Sequence, residues 1–239
     1  MHSRGLTSVC PPQMPKSHRT TSTPHFFTEQ EIKDFFDACD SLPINPHHKL
    51  SISRKISIPV FFRLLYSSGL RPIEARLLKA NDIDLKSGIV NIRESKGYNQ
   101  HFTVLHDSML ELIKQYDVSI RELYPNRTYF FPAEKDGHHT MQWVISNFNK
   151  LWNKKDKPLA TAYAFRHHYA ITNINSWINE GFGFDDKLLY LSKSMGHGDI
   201  KSTKYYYSLT PSLSDILYEK TNADFEDIVP EAEYEEVEQ

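Results

Sequence analysis

Residues 195–207 read MGHGDIKSTKYYY. The stretch DKLLYLSKS before the glycine-histidine pair has helical spacing, and three tyrosines end the stretch after it. Gly196 suits the left-handed position that follows a helix. The pattern therefore predicts two short helices meeting at a turn that His197 occupies. A tyrosine triplet serves in many proteins as plain core or edge packing. A phenol is also an oxygen nucleophile where a cationic site stabilises its phenolate. Which reading holds depends on the cations that the rest of the chain supplies.

Upstream, TAYAFRHHYAITNINSWINEG reads as an amphipathic helix ended by Gly181, with Tyr163 and Arg166 three apart on one face. In SSGLRPIEAR, Arg71 stands between Gly69, which suits a helix end, and Pro72, which suits a first helical turn. Backbone holds such an arginine on both sides, and its fork can grip a phosphate bidentately. Pairing with Glu74 at the surface is the ordinary alternative. GIVNIRESKGYNQHFTVL reads as a β-hairpin with Lys96 at its tip. Turns favour Lys and Gly in any case. The functional reading is a mobile cation that reaches into a groove to protonate a leaving oxygen.

The other stretches fill in a mainly helical chain. FFTEQEIKDFFDAC opens a helix with a Thr28/Glu31 capping box and a Phe27/Ile32 staple. KISIPVFFRLLYSS, DSMLELIKQYDVSIRELY and MQWVISNFNKLWNK are apolar at helical spacing. TYFF fits a short strand, and SLSDILYEK a last short helix. Residues 1–25 are rich in Ser, Thr, Pro and His without periodicity and read as disordered. The expected fold is mainly α with one small antiparallel sheet near residues 83–105.

Composition narrows the class. At 39% hydrophobic and 24% charged, the 239 residues fit a soluble globular protein. No apolar run nears the ~20 residues of a membrane span, and the start has no signal-peptide core. Cys10 and Cys39 make no disulfide framework, which fits a reducing cytoplasm. The net charge of −2 hides an asymmetry: Asp215–Gln239 carries ten Asp and Glu against one Lys, leaving 27 Lys and Arg against 20 Asp and Glu before it. A basic body is the weak footprint of a polyanionic partner. His47-His48, His138-His139 and His167-His168 are adjacent pairs rather than the i, i+4 pairs of a metal-binding helix, so no metal site is expected. P-loop, dinucleotide-binding and nucleophile-elbow motifs are absent.

No stretch decides alone; their order does. SGLRPIEAR, ESKG, YAFRHHYAI and MGHGDIKSTKYYY together resemble the tyrosine recombinase, or phage integrase, family and its relatives the type IB topoisomerases. The resemblance covers roughly residues 26–220. It implies a mainly helical catalytic domain with a small sheet; by composition, an acidic tail follows over 221–239. It implies a catalytic set of Arg71, Lys96, Tyr163, Arg166, His197 and Tyr206, with no metal and no other cofactor. Tyr163 stands where the family usually has His. The family's nine-residue spacing from the histidine selects Tyr206 as nucleophile. The implied activity is site-specific recombination of double-stranded DNA through a 3′-phosphotyrosyl link, without ATP. Integration, transposition and chromosome resolution stay open, as does a DNA-binding remnant that keeps the fold without recombining. Implied partners are further copies in a synaptic tetramer and accessory DNA-bending or excision proteins, in a bacterial or phage-encoded, cytoplasmic setting. Family members usually carry a helical core-binding domain before the catalytic one; here about 25 residues precede it, so that domain is expected to be absent.

Overall fold

The computed structural model describes residues 24–93, 100–152, 157–177 and 184–207, with backbone only at 136, 184, 185, 201, 204 and 207. Among them the order is α1 (Glu29–Asp40), α2 (Lys49–Ser68), α3 (Pro72–Leu77), β1 (Ile89–Ile92), β2 (His101–Val104), α4 (Asp107–Leu123), α5 (Met141–Trp152), α6 (Ala164–Trp177), α7 (Phe184–Ser194) and α8 (Lys201–Tyr207). The mainly helical fold with a small antiparallel sheet is as the sequence predicts. No helix among the described residues is long and apolar enough to cross a membrane.

The entry into α1 is the expected capping box. Thr28 Oγ1 accepts from the Glu31 amide at 3.2 Å, and the Glu31 carboxylate accepts from the Thr28 amide at 2.9 Å. Two of the helix's orphan N–H groups are thereby satisfied. Phe27 anchors the entry by stacking on Phe165, ring centroids 4.9 Å apart. His25, expected in the irregular N-terminal segment, is packed instead: it meets Glu31 at 3.0 Å and the edge of Trp152. Residues 1–23 of that segment lie outside the described residues.

Helix α2 is apolar on most sides because α1, α4 and α6 all pack on it. Its Phe61, Phe62 and Leu65 join a core of nested rings. Phe165, at the start of α6, lies among these rings and meets Phe35 at 5.2 Å and Phe148 at 5.7 Å. Each such ring withdrawn from water stabilises the fold by roughly 1.5–3 kcal/mol. A second, smaller cluster forms further along the same helix. Ala170, Ile171 and Ile174 of α6 pack with Leu188, Leu191 and Met195 of the α7 region and with Tyr206 of α8.

The hairpin pairs Ile89 with Val104, Val90 with Thr103, Asn91 with Phe102 and Ile92 with His101. Strand alternation turns Val90, Ile92, His101 and Thr103 inward. Helix α7 packs against β2, so this small sheet buttresses the end of the chain. TYFF forms no strand. Lys79 and Tyr129 make one isolated bridge, because the chain turns at once into a 3₁₀ turn over Ala80–Asp82. The hairpin tip with Lys96, Gly181, the helix expected in SLSDILYEK and the acidic tail lie outside the described residues.

Candidate active site

Arg166 is the centre of the site and is fully buried, at 0% exposure. An arginine in that position needs compensation for lost water. Two helix ends supply it. Nη1 donates to the Gly69 carbonyl at 2.7 Å, and Nη2 donates to the Met195 carbonyl at 2.7 Å. Gly69 closes α2 at φ 65°, with its amide bonded back to Leu65. Met195 immediately follows α7. Carbonyls at helix C-termini lack intrahelical donors and carry the negative end of the dipole, so they suit a buried cation. Burial and the neighbouring Arg71 charge pull the Arg166 pKa down, against Tyr206, Tyr163 and Glu74. Its Nε is buried with no hydrogen-bond partner among the described residues.

Arg71 approaches from the start of α3, where Pro72 presets the first turn. Its amide donates to Glu74 Oε2 at 2.8 Å, and its guanidinium pairs with the other carboxylate oxygen. The ordinary reading of Arg71 as Glu74's partner is thus correct as to the pair but not as to its place. The Glu74 side chain has no exposure and that of Arg71 only 17%. Nη2 also reaches the Gly196 carbonyl at 3.4 Å. Burial pulls the Arg71 pKa down, but Glu74 and, less, the nearby Tyr163 outweigh it and raise it.

His197 is placed by a Schellman turn. Its amide donates to Ser192 O, and the Gly196 amide to Lys193 O, both at 3.0 Å. Gly196 has φ 63°, and a Cβ there would lie 2.4 Å from Nδ1 of His101. Glycine is therefore required twice over, by conformation and by the inward-facing His101 of β2. His197 Nε2 meets Nη2 of Arg166 at 2.9 Å, and Nδ1 meets Thr203 Oγ1 at 2.7 Å. Burial and the charges of Arg166 and Arg71 lower its pKa to about 4.

Tyr206 is buried, at 4% exposure, whereas the preceding Tyr205 is 48% exposed. One residue is ~100° of helix rotation, so neighbours in α8 cannot share a face. The Tyr206 ring lies near parallel to that of His197, at 6.0 Å and 15°. Burial raises the phenol's pKa, opposed by the nearby charges of Arg166 and Arg71. Tyr163 is not on a shared helix face with Arg166, as the spacing predicted. It sits in the turn before α6, its carbonyl accepting the Arg166 amide at 3.0 Å. It nonetheless borders the cluster from outside, its phenol among the groups that raise the Arg71 pKa and its ring edge-on to His167 at 5.0 Å.

Five of the six predicted side chains therefore meet in one cluster, and Lys96 lies outside the described residues. The sequence reading missed Thr203, which is wholly buried, and gave Glu74 no place inside the site. It also weighed His167 only as a metal ligand. That ring packs between Tyr163 and Tyr206, the latter at 5.4 Å, and burial and Arg166 lower its pKa to about 4.

Comparison with known proteins finds integrases and tyrosine recombinases. The putative integrase/recombinase y4rE of Sinorhizobium fredii is 24% identical over 193 residues, 79% of this chain and 61% of its own length. Tyrosine recombinase XerA of Pyrococcus furiosus is 23% identical over 201 residues, 83% of this chain and 60% of its own. The chain thus spans about three fifths of the length of these relatives. Among solved structures, XerH recombinase in a post-cleavage complex with palindromic difH substrate matches with a TM-score of 0.64 at 16% identity, covering 92% of this chain and 59% of that one. The catalytic domain of bacteriophage HP1 integrase matches with a TM-score of 0.51 at 16% identity, covering 79% of this chain and 90% of that domain. At such identities the likeness is one of fold. The model of the phage integrase family matches residues 25–212, a span that takes in all five clustered side chains. The chain belongs to the phage integrase family.

Proposed function

We propose that residues 26–220 form a catalytic domain that cuts and rejoins double-stranded DNA at specific sites through a covalent link to Tyr206. One observation carries this reading: the buried Tyr206 ring lies near parallel to that of His197, 6.0 Å away, and His197 is bonded to Arg166 in a cluster that also holds Arg71. A phosphodiester under attack gathers negative charge on its non-bridging oxygens. Two guanidinium groups fixed beforehand by backbone and Glu74 stabilise that charge without reorganising. The Tyr206 phenol loses its proton to solvent, its oxygen attacks phosphorus and the bond to the 5′-oxygen breaks, leaving a 3′-phosphotyrosyl link. Lys96 protonates the departing 5′-oxygen, and Tyr163 donates a hydrogen bond to the phosphate. A 5′-hydroxyl from another strand then reverses the step, so phosphoester energy is conserved and no ATP is spent. Burial keeps the resting phenol protonated, while Arg166 and Arg71 act in the opposite direction. Reactivity therefore waits for a phosphate to reach the two guanidinium groups.

XerH is a site-specific recombinase seen with its DNA substrate after cleavage, and double-stranded DNA is the partner assigned here too. Assembly on DNA is taken to be a synaptic tetramer aided by accessory proteins, with the acidic residues 221–239 as a regulatory tail. A pool of nicked duplexes, first enriched for binding, tests the reading. The expected result is a protein-DNA adduct that survives denaturing electrophoresis, formed with EDTA present. Tyr206→Phe removes one oxygen and should abolish the adduct while leaving DNA binding near wild type. An adduct that persists in Tyr206→Phe would sink the assignment.

A further inference from the structure

Nη2 of Arg166 can only donate, so His197 Nε2, 2.9 Å away, must accept with its lone pair. The neutral ring then carries its proton on Nδ1. That N–H points at Thr203 Oγ1, 2.7 Å away, which accepts it. Thr203 is wholly buried and lies on α8 three residues before Tyr206, one turn along the same helix. Nothing in the proposed chemistry uses Thr203, and its neighbours give no other reason for a buried hydroxyl at this point.

We propose that Thr203 is a positioning residue: its hydroxyl holds His197 in the Nδ1–H form and ties that form to the seating of the nucleophile's helix. The proposal rests on the reading of Tyr206 as nucleophile. With Nδ1 committed to Thr203, protons enter and leave the ring only at Nε2, the nitrogen that faces Arg166. When a phosphate takes the guanidinium, Nε2 takes up a proton from solvent and donates to a non-bridging oxygen, with Nδ1–H still bound to Thr203. When α8 withdraws, Thr203 leaves with Tyr206, and the ring is free to change tautomer. The groups that face His197 are Arg166 on α6, Arg71 and Glu74 on α3, His101 on β2 and Tyr206 on α8. None of these is an acceptor at Nδ1, whereas Thr203 is. The arrangement works as that of an orienting partner behind a catalytic histidine does.

Two measurements test this on the full chain. Nitrogen chemical shifts of His197 in the DNA-free wild type at neutral pH should show the Nδ1–H tautomer; the Nε2–H tautomer would overturn the proposal without any variant. Thr203→Val keeps the shape and loses the acceptor. It should mix the His197 tautomers and slow adduct formation ~10–100-fold, the usual range for lost orienting partners, with DNA affinity unchanged. Thr203→Ser restores the hydroxyl and should recover both the tautomer and most of the rate. A Thr203→Val protein with wild-type rate and tautomer, or a slow Thr203→Ser protein with a correct fold, would refute the coupling. If the wild type formed no adduct, the recombinase reading would fail, and the tautomer measurements would still decide the role of Thr203.

Discussion

The two clusters along α6 are built differently. Around Phe165 the core is a nest of aromatic rings drawn from α1, α2, α5 and α6. Around Tyr206 it is mostly aliphatic, small, and drawn from α6, α7 and α8. Arg166 follows Phe165 directly and stands between the two, with one helix end held on each side. The difference separates labour. The first cluster carries most of the buried surface of the domain; the second only has to seat Tyr206. A part that must move is drawn from the less stable end of a structure.

The largest effect expected from breaking this division is at Phe165. Phe165→Ala should cost about 3–5 kcal/mol of global stability, read as a lowered denaturant midpoint with both clusters lost together. Leu191→Ala in the second cluster should cost about 2–3 kcal/mol, the low end of core leucine truncations, and mostly locally. Hydrogen exchange should show α7 and α8 losing protection while α2 and α5 keep theirs; equal losses would mean the clusters are one cooperative unit.

Acid should sharpen the same contrast. Burial holds His167 and His197, at the second cluster, at about 4, and it holds His139, stacked on Trp143 in the first, at about 4 as well. These folded values lie below the unfolded value of about 6.5. The folded protein thus binds fewer protons across that window, so stability is full above it and falls as pH drops from about 6.5 towards 4. Burial lowers the His168 pKa as well, against Phe27 and Tyr66 in the first cluster, so each cluster has two such histidines; because the second is the smaller unit, exchange in α7 and α8 should quicken first between about pH 7 and pH 5. Loss of protection in α5 first would reverse the assignment. The smallest effect is at Tyr205. Tyr205→Phe changes an exposed side chain and should alter adduct formation by less than ~2-fold. A dead Tyr205→Phe variant would mean that the wrong tyrosine has been chosen.

What was legible in the sequence was mostly local. The Thr28 capping box, Gly69, Pro72 and the Gly196-His197 turn are each set by a few neighbouring residues, and each forms as those residues predict. The resemblance, not the spacing, picked out Tyr206. What the sequence hid is convergence at a distance. The bond from Arg166 to Gly69 spans 97 positions, and no periodicity shows it. Thr203 reads as one polar residue in a short helix, and only the fold brings its hydroxyl against His197. Tyr163 was placed one turn too far into α6, because helix spacing fits the residues before a helix as readily as those inside it.

The acceptors that hold Arg166 belong to the main chain. No side-chain replacement at Gly69 or Met195 deletes a carbonyl, so this cradle can be lost only by rerouting the backbone. Mutational tolerance should therefore be uneven here: Met195 can vary in kind so long as α7 still ends where it does, whereas a one-residue insertion in either helix end would dismantle the socket at a stroke. Anyone transplanting this centre into another scaffold would have to copy two helix endings and the angle between them, and would find that the list of clustered side chains was the lesser part of the instructions.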